Sequence, residues 1–417
     1  MTNSKAQGQL YDCAVVGAGH AGLMLARLLA DHGLSVALLD KRGKPGDGAI
    51  DGARPNGWAL SVNLGSVVAL RTAGLWDYLA DQAQPLTVMR VTDPASKRDV
   101  LYRASDTGSE ALSWGIAGRD LARGLERALA DQGSIDAFWG EELACQHAGL
   151  ESCRITCRSG LAIDCRLAVA ADGRRSPLRQ TARLDGPGVD FKQVALTVGV
   201  TTGASHGGEG FEILLAGGPL AFLPLPETGA GRPSASITWV RDRDQAERWQ
   251  AAPPEMFARA LRRHMPERLG DVRPATPLAA FPLTFSHAKR LIGDRLALIG
   301  DAAHGMHPIH AQGFNLAVRD VACLAELLVS AHRYGRDPGS RGLLKRYQSS
   351  RLPDTLATGA FTSGFGLLSS SANPLARGVI GGGAFLLQKL PALRHALTRQ
   401  GLGEAPGRPR LLRGVPL

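Results

Sequence analysis

The sequence predicts an α/β fold in which a parallel-stranded domain is assembled from separated segments, interrupted by an antiparallel sheet and followed by helices. Three observations predict it. A strand, a glycine turn, a helix and a second strand open the chain; two later apolar strands end in Asp-Gly and Gly-Asp turns; and alternating segments lie between those strands. At roughly 100 to 200 residues per domain, the 417 residues suffice for two or three structural units.

Tyr11–Val16 (YDCAVV) is an apolar run that stops at Gly17-Ala18-Gly19-His20-Ala21-Gly22. AGLMLARLLADHG then carries helical spacing to Gly33, and SVALLD, ending at Asp40, is a second buried strand. This order is the βαβ unit of a Rossmann-like dinucleotide fold. Gly17 makes the tight turn, Gly19 lets the backbone approach a pyrophosphate, and Gly22 lets helix and strand pack closely. The helix N-terminus offers free N–H groups to phosphate. Asp40, roughly 20 residues on, can accept the ribose hydroxyls of an adenosine. Lys41 and Arg42 behind it raise the alternative of a 2′-phosphate contact.

Further along, ESCRITC, RSG and LAIDCRLAVA read as a hairpin in which Cys153, Cys157 and Cys165 are small apolar strand residues. Residues 85–103 and 191–241 alternate as separate antiparallel strands, among them VALTVGV, FEILLAG, PLAFLPLP and SASITWV. AVAADG (168–173) and RLALIGD (295–301) look like parallel strands returning to the first domain, and the chain after Asp320 reads as helical. The expected boundaries are therefore a discontinuous dinucleotide domain of 1–84, 104–190 and 277–335, a substrate sheet of 85–103 and 191–276, and a helical region of 336–417.

Composition excludes several classes. The net charge of +10 comes from scattered arginines without a basic run, and aromatics are only 5%, which argues against a nucleic-acid surface. Six cysteines without a CxxC pair, behind a short polar N-terminus, fit a reducing cytoplasm. The uncharged stretch Thr355–Ala376 has too few large apolar residues to cross a bilayer and reads as helical packing. His304, His307 and His310 are spaced as a possible metal set, but Pro308 breaks any helix that would bring them to one face, so no metal is expected.

Asp172-Gly173, followed by Ser176 and Arg179, closes one returning strand. Gly300-Asp301-Ala302-Ala303-His304, followed by Pro308, Gly313, Asn315 and Asp320, closes the other. With the glycine fingerprint, in this order, they resemble the flavoprotein aromatic hydroxylases of the para-hydroxybenzoate hydroxylase fold. GGPLAFLPLP (217–226), Tyr347 with Arg351, and the tail 364–403 are similar to the ubiquinone-biosynthesis branch, so the resemblance covers nearly the whole chain.

The resemblance implies an FAD-binding domain in which Gly17, Gly19, Gly22, Asp40 and Lys41 hold the ADP half. Asp172 and Gly173 would contact FAD and the reductant, while Gly300, Asp301, Gly313 and Asn315 would hold the ribityl and flavin region. The flavin loop would comprise His304, Pro308, Gln312 and Gly313, with no catalytic side chain assigned. No second GxGxxG exists, so NADH or NADPH would dock transiently. The implied reaction is hydroxylation of an aromatic ring by O₂ through a C4a-hydroperoxyflavin, the ring being a prenylated phenol or quinone precursor. Alternatives are a secondary-metabolite hydroxylase acting on a polyketide or quinolone, and a non-catalytic flavin-binding scaffold of a biosynthetic complex. Peripheral contact with the inner membrane or with a biosynthetic complex stays open.

The substrate pocket is expected between the sheet and the flavin, lined by Ala221, Phe222, Leu223 and Leu225, which supply apolar surface and almost no polar groups. The chain departs from the family at Ala311, where Gly-Gln-Gly usually follows the proline. If residue 311 needs a left-handed backbone, alanine costs roughly 1 to 2 kcal/mol there.

Overall fold

The computed structural model describes residues 8–44, 57–95, 97–306, 312–370, 390, 394–395, 398–399, 401–403 and 407–417. In chain order, β1 (Leu10–Val16), α1 (His20–Asp31) and β2 (Val36–Asp40) form the first unit. β3 (Ala59–Asn63), α2 (Leu64–Thr72), β4 (Ala83–Leu86), β5 (Val88–Asp93), β6 (Arg98–Arg103), β7 (Ser113–Ala117), α3 (Gly118–Ala130) and β8 (Ile135–Trp139) follow. β9 (Leu143–Ala148), β10 (Cys153–Cys157), β11 (Ala162–Ala170) and α4 (Pro177–Thr181) lead to the long β12 (Gly188–Thr201). Then come β13 (Glu209–Ile213), β14 (Leu220–Leu225), β15 (Ser234–Asp242), α5 (Arg243–Ala251) and α6 (Pro254–Arg262). β16 (Arg273–Pro274), β17 (Ala279–His287), β18 (Ile292–Gly293), β19 (Leu296–Leu298) and β20 (His304–Gly305) precede α7 (Gln312–Arg333) and α8 (Arg341–Ser370).

Among the described residues the first sheet has the central order β19-β11-β1-β2-β8, all parallel, with the β9-β10 hairpin and β18 at its margins. Its strands are buried on both faces, so they read as continuous apolar runs rather than alternating ones. α1 and α7 lie against it and share one core with Leu25, Leu29, Val321 and Leu324. Cys153 and Cys165 face each other across β10 and β11 with sulfurs 3.3 Å apart, both buried as small apolar residues.

The second sheet runs β20-β17-β12-β15-β14-β13-β5-β6, with β16 at one end of β12. One face, carrying Val198, Phe211, Phe222, Ile237 and Trp239, packs under α5 and α6. A small third sheet has the order β3-β7-β4; its β4 and β7 touch β14, and its β3 touches α7.

Two expected boundaries shift. Pro85 and Leu86 pair with β7 in the small sheet, so the second sheet begins at Val88. Residues 279–287, expected in the dinucleotide domain, form β17 and pair along most of β12. Sheet membership depends on a partner distant in sequence, which local patterning does not reveal.

Candidate cofactor and substrate site

The glycine turn behaves as its spacing predicts. Gly17 has φ +107°, and a Cβ there would lie 2.3 Å from the Ala171 carbonyl oxygen; one on Gly22 would lie 1.8 Å from the Gly17 carbonyl oxygen. Those two glycines are required by the protein's own packing. Gly19 differs: the nearest atom to an added Cβ is 3.9 Å away, so the protein alone leaves room for a side chain. What needs that room is whatever approaches the N-terminus of α1, which has neither a side-chain cap nor an acidic residue in its first turn.

Asp40 ends β2 beside this turn, but its carboxylate is fully engaged. Oδ2 accepts from the Ala18 N–H (2.6 Å) and Arg42 Nη2 (2.8 Å), and Oδ1 accepts from the Arg42 N–H (2.8 Å) and Nε (2.9 Å). Burial would raise this carboxyl, but the bonds from Arg42 outweigh it and lower its pKa. The second Arg42 contact, Nη2 to the Ala18 carbonyl oxygen at 2.9 Å, makes Arg42 a clasp on the turn rather than a free 2′-phosphate ligand. Lys41 stands exposed beside it.

Both returning strands end at the same place. Asp172 follows β11, where its Oδ2 accepts from the Leu178 N–H at 3.2 Å while Oδ1 is buried without a partner among the described residues. Burial raises its pKa. Gly173 has φ +85° with open space around it. Ser176 caps α4, and Arg179 bonds the carbonyls of Arg174 and Ala302 and the Asp185 carboxylate, so it staples the Asp172 loop to the Gly300 loop.

Gly300 has φ +57° and would press a Cβ onto Ala21 and Ala317, which explains glycine at this crossing of α1 and α7. Asp301 beside it is half exposed, its nearest cation being Arg174 at 3.8 Å. Beneath the turn, Asp320 accepts from the Gly300 N–H (3.0 Å) and Arg351 Nε (2.8 Å), and lies 2.6 Å from His304 Nε2. Burial alone would raise Asp320, but its attraction to His304 and Arg351 holds its pKa down to about 2. His304 Nδ1 has no partner among the described residues.

Gln312 and Gly313 begin α7, and nothing lies within 4 Å of where a Gly313 Cβ would stand. The resemblance gave Asn315 to the cofactor, but its side chain joins α7 to β3, accepting from the Asn63 N–H and donating to the Ser61 carbonyl, each at 2.9 Å. His307, Pro308, His310 and Ala311 lie outside the described residues. Sequence reasoning missed the aromatic group at the mouth of the site, where His20 stacks on Trp58 and meets the edge of Phe314. Its members are far apart in sequence, and only His20 belonged to a motif, the glycine fingerprint.

The other face of the second sheet carries a different set of side chains. Direct pairing sets Thr197, Thr238, Ala221 and Glu212 side by side on that face, with Gly199, Ser236 and Leu223 in the next row. Gly57 sits on that second row, accepting from the Ser236 hydroxyl at 2.6 Å. Leu225, Thr201, Ser234, Trp58, Arg119 and Pro277 line a cleft of about 320 Å³ between the sheet and the small β3-β7-β4 layer. Phe222 is a correction: strand alternation turns it to the opposite face, where it stacks on Phe211 with centroids 4.6 Å apart in the core under α5 and α6. Among the described residues, no three His, Cys, Asp or Glu side chains group as a metal site.

The arrangement fits FAD. A helix N-terminus with an open glycine, an unpartnered buried carboxylate oxygen at Asp172 and a half-exposed carboxylate at Asp301 converge where the parallel strands end. Residues 11–360 match the family model described as "FAD binding domain". The chain is 36% identical to the ubiquinone hydroxylase UbiL of Rhodospirillum rubrum, over 98% of this chain and 94% of that protein. It is 30% identical to the 3-demethoxyubiquinol 3-hydroxylase of Escherichia coli, over 83% and 86%. The crystal structure of Pseudomonas aeruginosa PqsL in complex with 2-aminobenzoylacetate shares the fold with a TM-score of 0.76 at 20% identity, covering 90% of this chain and all of that one. The chain therefore belongs to the FAD-binding-domain family, as an FAD-dependent monooxygenase of aromatic rings.

Proposed function

We propose that this protein hydroxylates a prenylated phenol or quinone precursor, with NADH or NADPH as a transiently docked reductant and O₂ as oxidant. The observation that carries the reading is the cleft between the sheet and the small β3-β7-β4 layer, where Leu225 and Ala117 present apolar surface beside Trp58 and Pro277. A flat ring with a hydrocarbon tail matches such a lining, which gains about 0.8 kcal/mol per buried CH₂. The names of the two similar hydroxylases support a quinone-precursor ring.

Bound FAD supplies an electrophilic oxygen drawn from O₂ once the flavin is reduced. The protein's own contribution is position and dryness. Gly19 and the α1 N-terminus receive the pyrophosphate, Asp301 accepts hydrogen bonds from ribityl hydroxyls, and the α7 N-terminus at Gln312 and Gly313 faces anionic charge favourably. The sheet face holds the ring and excludes water.

A tail-bearing substrate resides in lipid, and α8 exposes Leu356, Phe361 and Leu368, with Leu390 exposed beyond it. These side chains support peripheral contact with a membrane surface. No helix of the described residues is long and apolar enough to cross a membrane. The test is reductant oxidation in the presence of prenylated phenols, with product identification by mass. Stimulated oxidation with an oxygenated product supports the reading; oxidation indifferent to every such ring rejects it.

A further inference from the structure

Cys153 and Cys165 stand directly opposite each other on the antiparallel strands β10 and β11, with their sulfurs 3.3 Å apart and both thiols free. Opposed residues on antiparallel strands have Cα atoms about 4.5 to 5.5 Å apart, within the roughly 4.4 to 6.8 Å that a disulfide spans. The sulfurs need to close by only about 1.3 Å to reach the ~2.0 Å of a bond. The pair takes no part in the cofactor site, which begins at Asp172 beyond the C-terminal end of β11.

The surroundings make Cys153 the reactive partner. The Cys165 thiol bonds to it and, against the effect of burial, holds its pKa below that of an ordinary thiol, helped by Gln146, the Ala168 N–H and the Arg295 charge. The same bond, and then burial, push the Cys165 thiol up. Burial chiefly raises Cys13, Cys157 and Cys323, so these stay protonated. The thiolate is the form that attacks an oxidant. Cys153 is 2% exposed, but it pairs with Ala148 as the last rung of the β9-β10 hairpin before an exposed turn, where Leu150 is 97% exposed. Opening one rung at a hairpin end is a low-cost local fluctuation that admits a small solute.

We propose that Cys153 and Cys165 form a reversible disulfide with hydrogen peroxide as the oxidant, which gives this chain a redox site separate from its flavin. The Cys153 thiolate attacks one peroxide oxygen and the O–O bond breaks. Hydroxide leaves and takes up the thiol proton as water, and Cys153 becomes a sulfenic acid. The Cys165 sulfur then attacks the Cys153 sulfur, and the Cys165 proton leaves with the sulfenic oxygen as a second water while the S–S bond forms. The two thiols supply two electrons and two protons, and one peroxide becomes two waters. The bond ties β10 to β11, the strand that runs into Asp172, and a thiol reductant reverses it. This chemistry is independent of which ring the flavin hydroxylates.

The test treats the FAD-loaded full chain with hydrogen peroxide, alkylates the remaining thiols after unfolding and maps the cysteine peptides by mass. The wild type is expected to lose two of its six free thiols to a Cys153–Cys165 cross-link, and dithiothreitol should restore both. Cys165→Ser should halt the reaction at the sulfenic acid, so that dimedone labels Cys153 far more than in wild type. Cys153→Ser should leave Cys165 unoxidised. FAD content and thermal melts establish that each variant is folded, and the wild-type peptide map decides the question by itself if one is not. Absence of the Cys153–Cys165 cross-link in wild type, oxidation confined to the half-buried Cys145, or conversion of Cys153 to a sulfinic acid without a cross-link overturns the assignment.

Discussion

His304 Nε2 lies 2.6 Å from Asp320 Oδ2 with both side chains fully buried, and the same carboxylate bonds the Gly300 N–H. The two residues join the turn after β19 to α7. Arg351 on α8 completes the group through the other carboxylate oxygen.

Removing this carboxylate leaves the buried Arg351 guanidinium without its Asp320 partner, so Asp320→Asn should destabilise the protein by about 3 to 5 kcal/mol. Because the folded pKa of Asp320 is depressed to about 2 from an ordinary 3.8, its contribution is present above pH 3.8 and lost as pH falls toward 2. Urea midpoints measured across that window should fall less steeply in Asp320→Asn than in wild type. Parallel slopes would show that Asp320 contributes no pH-linked stability.

The glycine fingerprint separates into two kinds of requirement. Gly22→Ala drives a methyl into the Gly17 carbonyl and should cost about 1 to 3 kcal/mol or more of stability. Gly19→Ala has room in the protein and should alter stability by only about 0.5 kcal/mol, yet lower FAD affinity tenfold or more. Thermal melts of apoprotein beside FAD titrations distinguish the two; a Gly19→Ala variant with normal FAD affinity contradicts the placement of the pyrophosphate.

Asp301 is half exposed, with one loose ion pair of a kind worth at most about 1 kcal/mol. Asp301→Ala should therefore leave folding nearly unchanged while weakening FAD by about 10- to 150-fold, the loss of a charge-assisted acceptor. Flavin retained through gel filtration gives the answer, and full retention with unchanged affinity would remove Asp301 from the site.

On the substrate side, Leu225 and Phe222 should behave differently although they share β14. Leu225 lines the cleft, so Leu225→Asp should erase the gain in affinity from added prenyl carbons, about 0.8 kcal/mol per buried CH₂. Phe222 belongs to the core under α5 and α6, so Phe222→Ala should cost about 3 to 5 kcal/mol of stability with the chain-length preference intact. Binding series against tail length, with denaturation curves, check both.

Much of the cofactor side was legible because its signals are local. Gly17, Gly19, Gly22 and Asp40 sit within one βαβ unit, and Asp172 and Asp301 each end a recognisable apolar strand. What the sequence hid is non-local. The Arg42 clasp on Asp40 depends on a side-chain turn, the seating of Asn315 on β3 on residues some 250 positions apart, and the membership of β17 in the substrate sheet on its pairing with β12. Phe222 was misassigned for a simpler reason: a near-continuous apolar run, GGPLAFLPLP, does not say which alternate side chains face the cleft, and only register against β13 and β15 decides it.

The most direct test of the account is to add 2-prenylphenols of increasing chain length to the FAD-loaded protein with NADH or NADPH under ¹⁸O₂ and to analyse the products by mass. The account predicts reductant consumption stimulated by the phenol and one ¹⁸O atom in the product ring, with affinity rising as the tail lengthens. Reductant consumption that yields only hydrogen peroxide, with no labelled ring product from any prenylated phenol, would contradict it.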